Sequence, residues 1–464
     1  MSKQGNFAEG SIPRNILSMA GPLIVAEMVN IIYNLVDRIY IGHIPDVGTT
    51  AFSGVGICLP IVSLIGAFAS LSGMGGSPLF SIARGHGDDG RAREILETDF
   101  TMLILNAAAL MLLLMPFLRP ILNVLVSDPN TLPYAYSYML IYMIGTPFVL
   151  ISLGMNPFIN SQGFAKIGMA TVVIGAVLNI ILDPIFIFAL KLDVRGAAIA
   201  TVVSQGVSAV WVLRFLFRKA PVRIGRLRLD LKTVLSILKL GVTGFTMKVT
   251  NSLTQAVINI TLKTWGGDIA YLFIASMSII SSVRELTWQP LQGLVEAFKP
   301  VASFNYGAGL YHRVKEAIRF TITLNFSVGV ALWAICEFLT EPVVRLFTDD
   351  AELIANSIPC MRVFFGAYFL MALMTTSQNT FIALNMPKKS IFFSLNRKVV
   401  LVVPLTIILP HFIGVMGAFY AEMLSQVIGA SMCFITMMLT VYRHLDNWDE
   451  YQAEKAEKKK LRSV

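Results

Sequence analysis

Asn179 and Asp183 stand one helical turn apart in a long apolar stretch, immediately before Pro184, and an earlier stretch carries Glu27, Asn30, Asn34 and Asp37 at spacings of three, four and three. Those spacings put each set on one face of a helix. A carboxylate at hydrocarbon depth is costly, and it persists where it binds or moves a charged species. Pro184 removes a backbone donor, and the bend it introduces frees carbonyls that can ligate a cation. Thr201, early in the next apolar stretch, can add a hydroxyl, and Tyr33 borders the first stripe. Two carboxyls in one low-dielectric cavity resist carrying charge together, so Asp37 and Asp183 can share a proton, or hold Na⁺, against an organic cation. Each acid has an alternative role: for Asp37 an ion pair with Arg38 or a position near the outer interface, for Asp183 a structural hydrogen bond to a neighbouring helix.

The elements that must position these residues are membrane helices. Hydrophobic residues make up 55% of the 464 and charged residues 14%, with a mean hydropathy of +0.69. Stretches long enough to cross a bilayer as helices recur about twelve times, near 14–42, 51–82, 95–119, 132–158, 165–190, 196–218, 233–263, 268–299, 316–339, 353–384, 389–411 and 415–441. A spanning β-barrel would need short segments of alternating polarity instead.

The net charge of +9 is a topology signal rather than a nucleic-acid one. About 27 of the 37 Lys and Arg fall in the N-terminus, the even-numbered loops and the C-terminus, and about 5 in the odd-numbered loops, which makes both termini cytoplasmic. The richest cluster, Arg214, Arg218, Lys219, Arg223, Arg226, Arg228 and Lys232, reads as a topogenic loop on anionic headgroups. The charged tail from Lys455 to Arg462, with Glu454 and Glu457, reads as a solvated end. No cleavable signal peptide is expected, because the first ten residues are polar and the first apolar run is a full-length helix.

The chain also repeats itself. Gly196, Ala197, Ala200, Ser204 and Gln205 return as Gly417, Ala418, Ala421, Ser425 and Gln426, 221 positions later. Gly85, Gly87, Arg91, Arg93 and Glu94 answer to Gly307, Gly309, Arg313, Lys315 and Glu316 at 222. A single long repeat in an apolar chain marks a transporter of two homologous halves, with its substrate site within or between them. Six helices per half make the repeats parallel. The expected organisation is a cytoplasmic N-terminus over 1–13, a first lobe over 14–219, a basic linker over 220–232, a second lobe over 233–441 and a charged cytoplasmic tail over 442–464.

Other chemistries lack their residues. The run Gly73, Met74, Gly75, Gly76, Ser77 has no following Lys and lies inside an apolar stretch, so it is no phosphate cradle. His43, His86, His312, His411 and His444 are too scattered for a metal site or an intramembrane protease, and an enzyme is not expected. Cys58, Cys336, Cys360 and Cys433 are isolated packing residues. In the second half the matching stripe carries Asn251, Gln255 and Asn259, amides where the first half has acids. Glu285 stands beside Arg284 and Glu296 near Lys299, which leaves Glu422, a turn before Gln426, as the least explained acid.

These motifs resemble the multidrug and toxic compound extrusion (MATE) family. The run Ser303, Phe304, Asn305, Tyr306, Gly307, Ala308, Gly309, followed by Arg313, Lys315 and Glu316, is similar to that family's loop after its eighth helix. Asn34, Leu35, Val36, Asp37, and Asn179, Ile180, Ile181, Leu182, Asp183, Pro184, resemble its first-half cation site. The likeness runs from about residue 12 to 441, and it is nearest to the MepA-like bacterial exporters. It implies an all-α integral membrane protein of two six-helix bundles, a cytoplasmic-membrane antiporter that exports amphipathic organic cations for H⁺ or Na⁺ without a cofactor; a monomer is expected because one chain can complete the two-bundle pathway by itself. It also implies that Asp37, Asn179, Asp183 and Thr201 form the coupling site, with Tyr33, Asn30 and Asn156 lining the adjoining cavity. The acids that one branch of the family carries on helices 7 and 10 are not matched: helix 10 offers Thr375, Thr376, Gln378 and Asn379.

The 22 Met and 30 Phe can supply soft, repackable cavity walls, and aromatic faces attract cations by roughly 0.5 to 2 kcal/mol. The rival reading is a flippase for lipid-linked oligosaccharide or cell-wall precursor, whose anionic cargo selects Arg or Lys in the cavity. Lys239, Lys248, Arg284 and Arg362 are the deep candidates for that role, few and scattered.

Overall fold

The computed structural model describes residues 6–45, 47–125 and 130–452, apart from the side chains at 248 and 252. The tail cluster from Lys455 to Arg462, with Glu454 and Glu457, and the side chain of Lys248 lie outside the described residues. The rest is helical: α1 (Ile12–Gly42), α2 (Gly48–Gly85), α3 (Asp89–Leu114), α4 (Leu118–Leu125), α5 (Leu132–Ser161), α6 (Ala165–Pro184), α7 (Asp193–Arg218) and α8 (Leu231–Trp265). There follow α9 (Ala270–Gly307), α10 (Tyr311–Phe338), α11 (Thr340–Arg345), α12 (Ala351–Phe365), α13 (Leu370–Ala383), α14 (Pro387–Leu395), α15 (Val403–Ile408), α16 (Pro410–Ile413) and α17 (Gly417–Thr440). Turns of π-helix at Ile185–Ala189 and Asn396–Val402 extend α6 and α14.

Every expected apolar stretch is helical. Among the described residues nine helical stretches are long and apolar enough to cross a membrane, or ten when α12 and α13, bent by 44° at their break, are taken as one. Two features account for the distance from twelve. The 66 residues Pro387–Gln452 form one of the nine, yet at about 1.5 Å per residue they exceed three times the ~30 Å core. That stretch turns at Gly414, φ 64° and ψ −160°, and so carries two crossings. The other is α8, which has four lysines along its 35 residues and is not among the nine.

The chain forms two compact units. One takes in Gly21–Arg84 and Asp88–Val249; the other takes in Phe7–Ala20, Gly85–Gly87 and the chain from Thr250 onward. Helices α1 and α8 are therefore each divided between units. In the first unit α7 lies against α5 and α6, and α3 against α5, around buried Ile65, Phe80, Leu103, Met143, Phe158 and Val212. In the second, α9 packs on α10, α12 and α13, and α17 on α13, α12 and α15.

The duplication is visible in the backbone of each half of the chain. Gly87 (φ 77°) and Gly309 (φ 70°) make the same left-handed turn after α2 and α9. Gly163 (φ 85°) and Asn385 (φ 55°) do so after α5 and α13, and Asp193 (φ 50°) and Gly414 (φ 64°) both take positive φ, at the start of α7 and shortly before α17. Gly196 and Gly417 recur for a contact reason: a Cβ at Gly196 would lie 2.6 Å from the Phe186 carbonyl carbon, and one at Gly417 2.5 Å from the Pro410 nitrogen. A side chain at either position would push the helix start off the preceding helix end.

The basic linker is clasped to the first unit. Ala220, Val222 and Ile224 are buried. Gln162 Oε1 accepts from Val222 N at 2.9 Å, and Thr101 Oγ1 from Arg228 N at 3.2 Å. Glu97 Oε1 accepts from Gly225 N at 2.9 Å and from Arg226 N at 3.2 Å. The linker ends at Asp230, whose carboxylate accepts from Thr233 N (2.8 Å) and Thr233 Oγ1 (2.6 Å) and caps the first turn of α8. Those two bonds, with the nearby charges of Arg91 and Arg228, hold the Asp230 carboxyl below the usual carboxylate range.

Candidate functional site

In the first unit α1, α6 and α7 bring Asp37, Asn179, Asp183 and Thr201 together. The Asn179 amide nitrogen is 3.3 Å from Asp183 Oδ1 and 3.4 Å from Thr201 Oγ1, so one side chain links the two helices. Asn179, Asp183 and Thr201 are buried, and Asp37 is half-buried while its neighbour Arg38 is exposed. The carboxyl groups of Asp37 and Asp183 lie within hydrogen-bonding reach of each other. Two carboxylates have no proton to donate, so a bond between them requires one shared proton. Asp37 Oδ1, Asn179 Oδ1 and Asp183 Oδ2 are buried without a hydrogen-bond partner. Buried oxygens with unused lone pairs on three neighbouring side chains are an acceptor set suited to a hard monovalent cation or to protons.

Helix α6 does not break at Pro184. It widens into the π-turn Ile185–Ala189, closed by Leu190 N to Ile185 O at 2.9 Å. A π-turn is a frequent device at functional sites, and here it directly follows Asp183.

The predicted lining residues divide. Tyr33 lies one turn before Asp37 and within electrostatic reach of both acids. Asn30 stands two turns before Asp37, and Asn34 donates to its carbonyl oxygen at 2.7 Å. Asn156 is elsewhere: its amide donates to Gly168 O at 3.3 Å in the first turn of α6, about 22 Å along that helix from Asp183. Asn156 thus stands apart from the carboxyl pair. Tyr138 and Tyr142 of α5 join Tyr33 instead, with rings stacked at 6.1 Å. An aromatic pair at helical spacing in an apolar stretch reads as packing, which is why the sequence did not single it out.

Two acids of α3 escaped the sequence reading. Glu97 clasps the linker, while Asp99, fully buried, lies against Ser72 and Gly76. Asp99 is ten residues into α3, about 15 Å from its start.

In the second unit Glu296 pairs with Lys299 at 2.6 Å. Glu285 is exposed, and its neighbour Arg284 lies 6.0 Å over the Phe364 ring. Glu422 accepts from Arg397 at 2.9 Å and from Lys398 at 3.4 Å, with all three buried. Arg397 and Lys398 are the deep cations that the sequence reading missed; Lys239, named there, is exposed, and Arg362 donates to Thr340 Oγ1 at 3.3 Å. The helix-10 polar set is engaged in structural bonds: Asn325 donates at 3.1 Å to both Thr375 and Thr376, Asn379 donates to Thr375 O at 2.8 Å and Gln378 to Ser390 O at 3.2 Å.

The recurrent run Ser303–Gly309 holds the N-terminal segment. Asn305 Nδ2 donates to Phe7 O at 3.0 Å and to Val301 O at 2.8 Å. Arg313 Nη2 donates to Phe7 O at 3.0 Å and to Gly10 O at 2.9 Å, while its Nε donates to Asn305 Oδ1 at 3.0 Å. The buried Phe7 ring meets Phe304 edge-on at 5.8 Å.

The MatE family model matches residues 22–185 and 248–408, well over half the chain. The multidrug export protein MepA of Staphylococcus haemolyticus is 24% identical over 443 residues, 94% of each chain. Solved structures share the fold. An outward-facing multidrug resistance MATE family transporter aligns with a TM-score of 0.89 at 22% identity, over 96% of this chain and 99% of that one. A MOP superfamily transporter from Pyrococcus furiosus, described as having a binding pocket of reverse polarity, aligns at 0.88 and 21%, over 96% and 99%. With two repeated helical halves and a family match in each, the chain belongs to the MatE family of multidrug efflux transporters and is a multi-pass membrane protein.

Proposed function

We propose that this chain is a secondary active antiporter that exports amphipathic organic cations in exchange for H⁺ or Na⁺, with Asp37, Asn179, Asp183 and Thr201 as the coupling site and Tyr33 beside it. The observation that carries the reading is the facing pair Asp37 and Asp183, with partnerless oxygens on both and on Asn179. Drug and coupling ion compete for these carboxyls: entry of the ion from outside displaces the drug and resets the protein inward. Each proton entering down about 100 mV contributes roughly 2.3 kcal/mol, enough to sustain about a 50-fold gradient of a neutral substrate. The protein works as a monomer without an organic cofactor, in the bacterial cytoplasmic membrane with both termini inside. The basic loops support that orientation.

The test is uptake of a fluorescent organic cation into inverted vesicles under an imposed H⁺ or Na⁺ gradient, for wild type and Asp183→Asn. Uptake driven by one gradient and abolished in the variant is expected. A well-expressed wild type that moves no cation under either gradient overturns the reading. It would favour the second one, a flippase for lipid-linked anionic cargo, for which the buried Arg397 and Lys398 speak.

A further inference from the structure

The second unit buries more positive than negative charge. Arg397 and Lys398 converge on Glu422, and Arg284 of α9 lies within electrostatic reach of both Glu422 and Lys398. Two buried cations thus share one buried carboxylate, with half-buried Arg284 nearby, in a segment read as membrane-spanning. Both hydrogen bonds from Arg397 and Lys398 go to Glu422 Oε1, while Oε2 is buried without a partner. An excess of buried like charge is strongly unfavourable unless an opposite charge joins it.

The arrangement is built rather than incidental. Consecutive residues of an α-helix point about 100° apart, yet Arg397 and Lys398 both reach one carboxylate. The π-turn Asn396–Val402 carries them, closed by Val403 N to Lys398 O. Gly429 of α17 makes room for the Arg397 stem, since a Cβ there would lie 2.9 Å from Arg397 Cγ and 3.3 Å from its Cβ. A guanidinium and an ammonium carry more N–H donors than the single Glu422 oxygen they share accepts, and the donors left over match a second oxyanion.

We infer that the second unit contains an anion site in which Arg284, Arg397 and Lys398 receive an oxyanion beside Glu422. The ligand is a carboxylate or phosphate group, either the acidic group of a transported organic compound or a free inorganic anion. The site is distinct from the Asp37–Asp183 pair and of opposite polarity, and it does not depend on the coupling role proposed for that pair.

The experiment is calorimetric titration of the purified full-length protein in nanodiscs of uncharged lipid, at constant ionic strength, with benzoate and with inorganic phosphate. Saturable binding at one site per chain is expected, weakened at least tenfold in Lys398→Met and retained in Asp183→Asn. Glu422→Gln removes the internal competitor and is expected to bind at least tenfold tighter. Benzoate alone binding identifies the acidic group of an organic compound as the ligand; phosphate binding identifies an inorganic anion. No saturable binding of either probe to folded wild type, or equal binding to wild type and Lys398→Met, overturns the inference. Where Glu422→Gln does not fold, the comparison of wild type with Lys398→Met decides alone.

Discussion

Asn179 donates to Asp183 across one turn of α6, and the same amide nitrogen reaches Thr201 on α7. One side chain thus sets both the orientation of an acid and the spacing of two helices. Asn179→Leu keeps the branched shape and removes both bonds. A hydrogen bond to a charged group contributes about 1.5–3 kcal/mol, so gradient-driven uptake should fall about 10- to 100-fold. The melting temperature in detergent should move by only a few degrees, as expected when an interaction serves the transport cycle more than the fold. A large loss of melting temperature with normal residual transport would assign Asn179 to packing.

Asp37→Asn and Asp183→Asn each replace an acid by an amide that still hydrogen-bonds the remaining carboxylate, but neither variant retains the shared proton. Both should exchange labelled drug across the membrane at equilibrium while failing to concentrate it under an imposed ion gradient. Loss of exchange as well as concentration would place the acids in drug binding alone.

The contacts between Asn305, Arg313 and the Phe7–Gly10 backbone make the N-terminal segment part of the second unit. Phe7→Ala removes a buried ring and should cost about 3–5 kcal/mol. Asn305→Ala leaves the Phe7 and Val301 carbonyls without that donor, for about 1–3 kcal/mol. Thermal unfolding followed by tryptophan fluorescence reads both. A shift near zero for either variant would mean that the segment is not held in the membrane-embedded protein.

Asp230 gives a pH signature. Its folded-state carboxyl titrates below the unfolded value, so its contribution is present above the unfolded pKa of about 3.9 and is lost as pH falls through the folded one. The gap in melting temperature between wild type and Asp230→Asn should therefore be constant from pH 7 to about 5 and close below about pH 4. A gap undiminished at pH 3 would show that the side-chain shape, not its charge, caps α8.

Much of this was legible in the sequence because it rested on periodicity. The acid and amide stripe of α6 and the apolar stretches follow from spacing along one helix, and the internal repeat from spacing along the whole chain. What escaped depends on contacts between helices or on local unwinding. Arg397 and Lys398 lie well inside the apolar stretch 389–411, yet nothing near them in the chain announces Glu422 25 residues on. The π-turn that lets both reach it has no composition signal. Asp99 is hidden differently: the apolar stretch begins at 95, which places the acid at a helix end, whereas α3 begins at Asp89.

The clasp of Glu97, Thr101 and Gln162 on the linker backbone bears on where the two repeats can be cut. Six trypsin sites, Arg218, Lys219, Arg223, Arg226, Arg228 and Lys232, crowd the connector, yet a protease must first peel its substrate into an extended loop. Pinned amides at Val222, Gly225, Arg226 and Arg228 oppose that peeling. The connector is thus the last strip of the first repeat rather than a tether, and a functional split of the gene belongs at its far end, next to Asp230, where the second repeat's first helix begins.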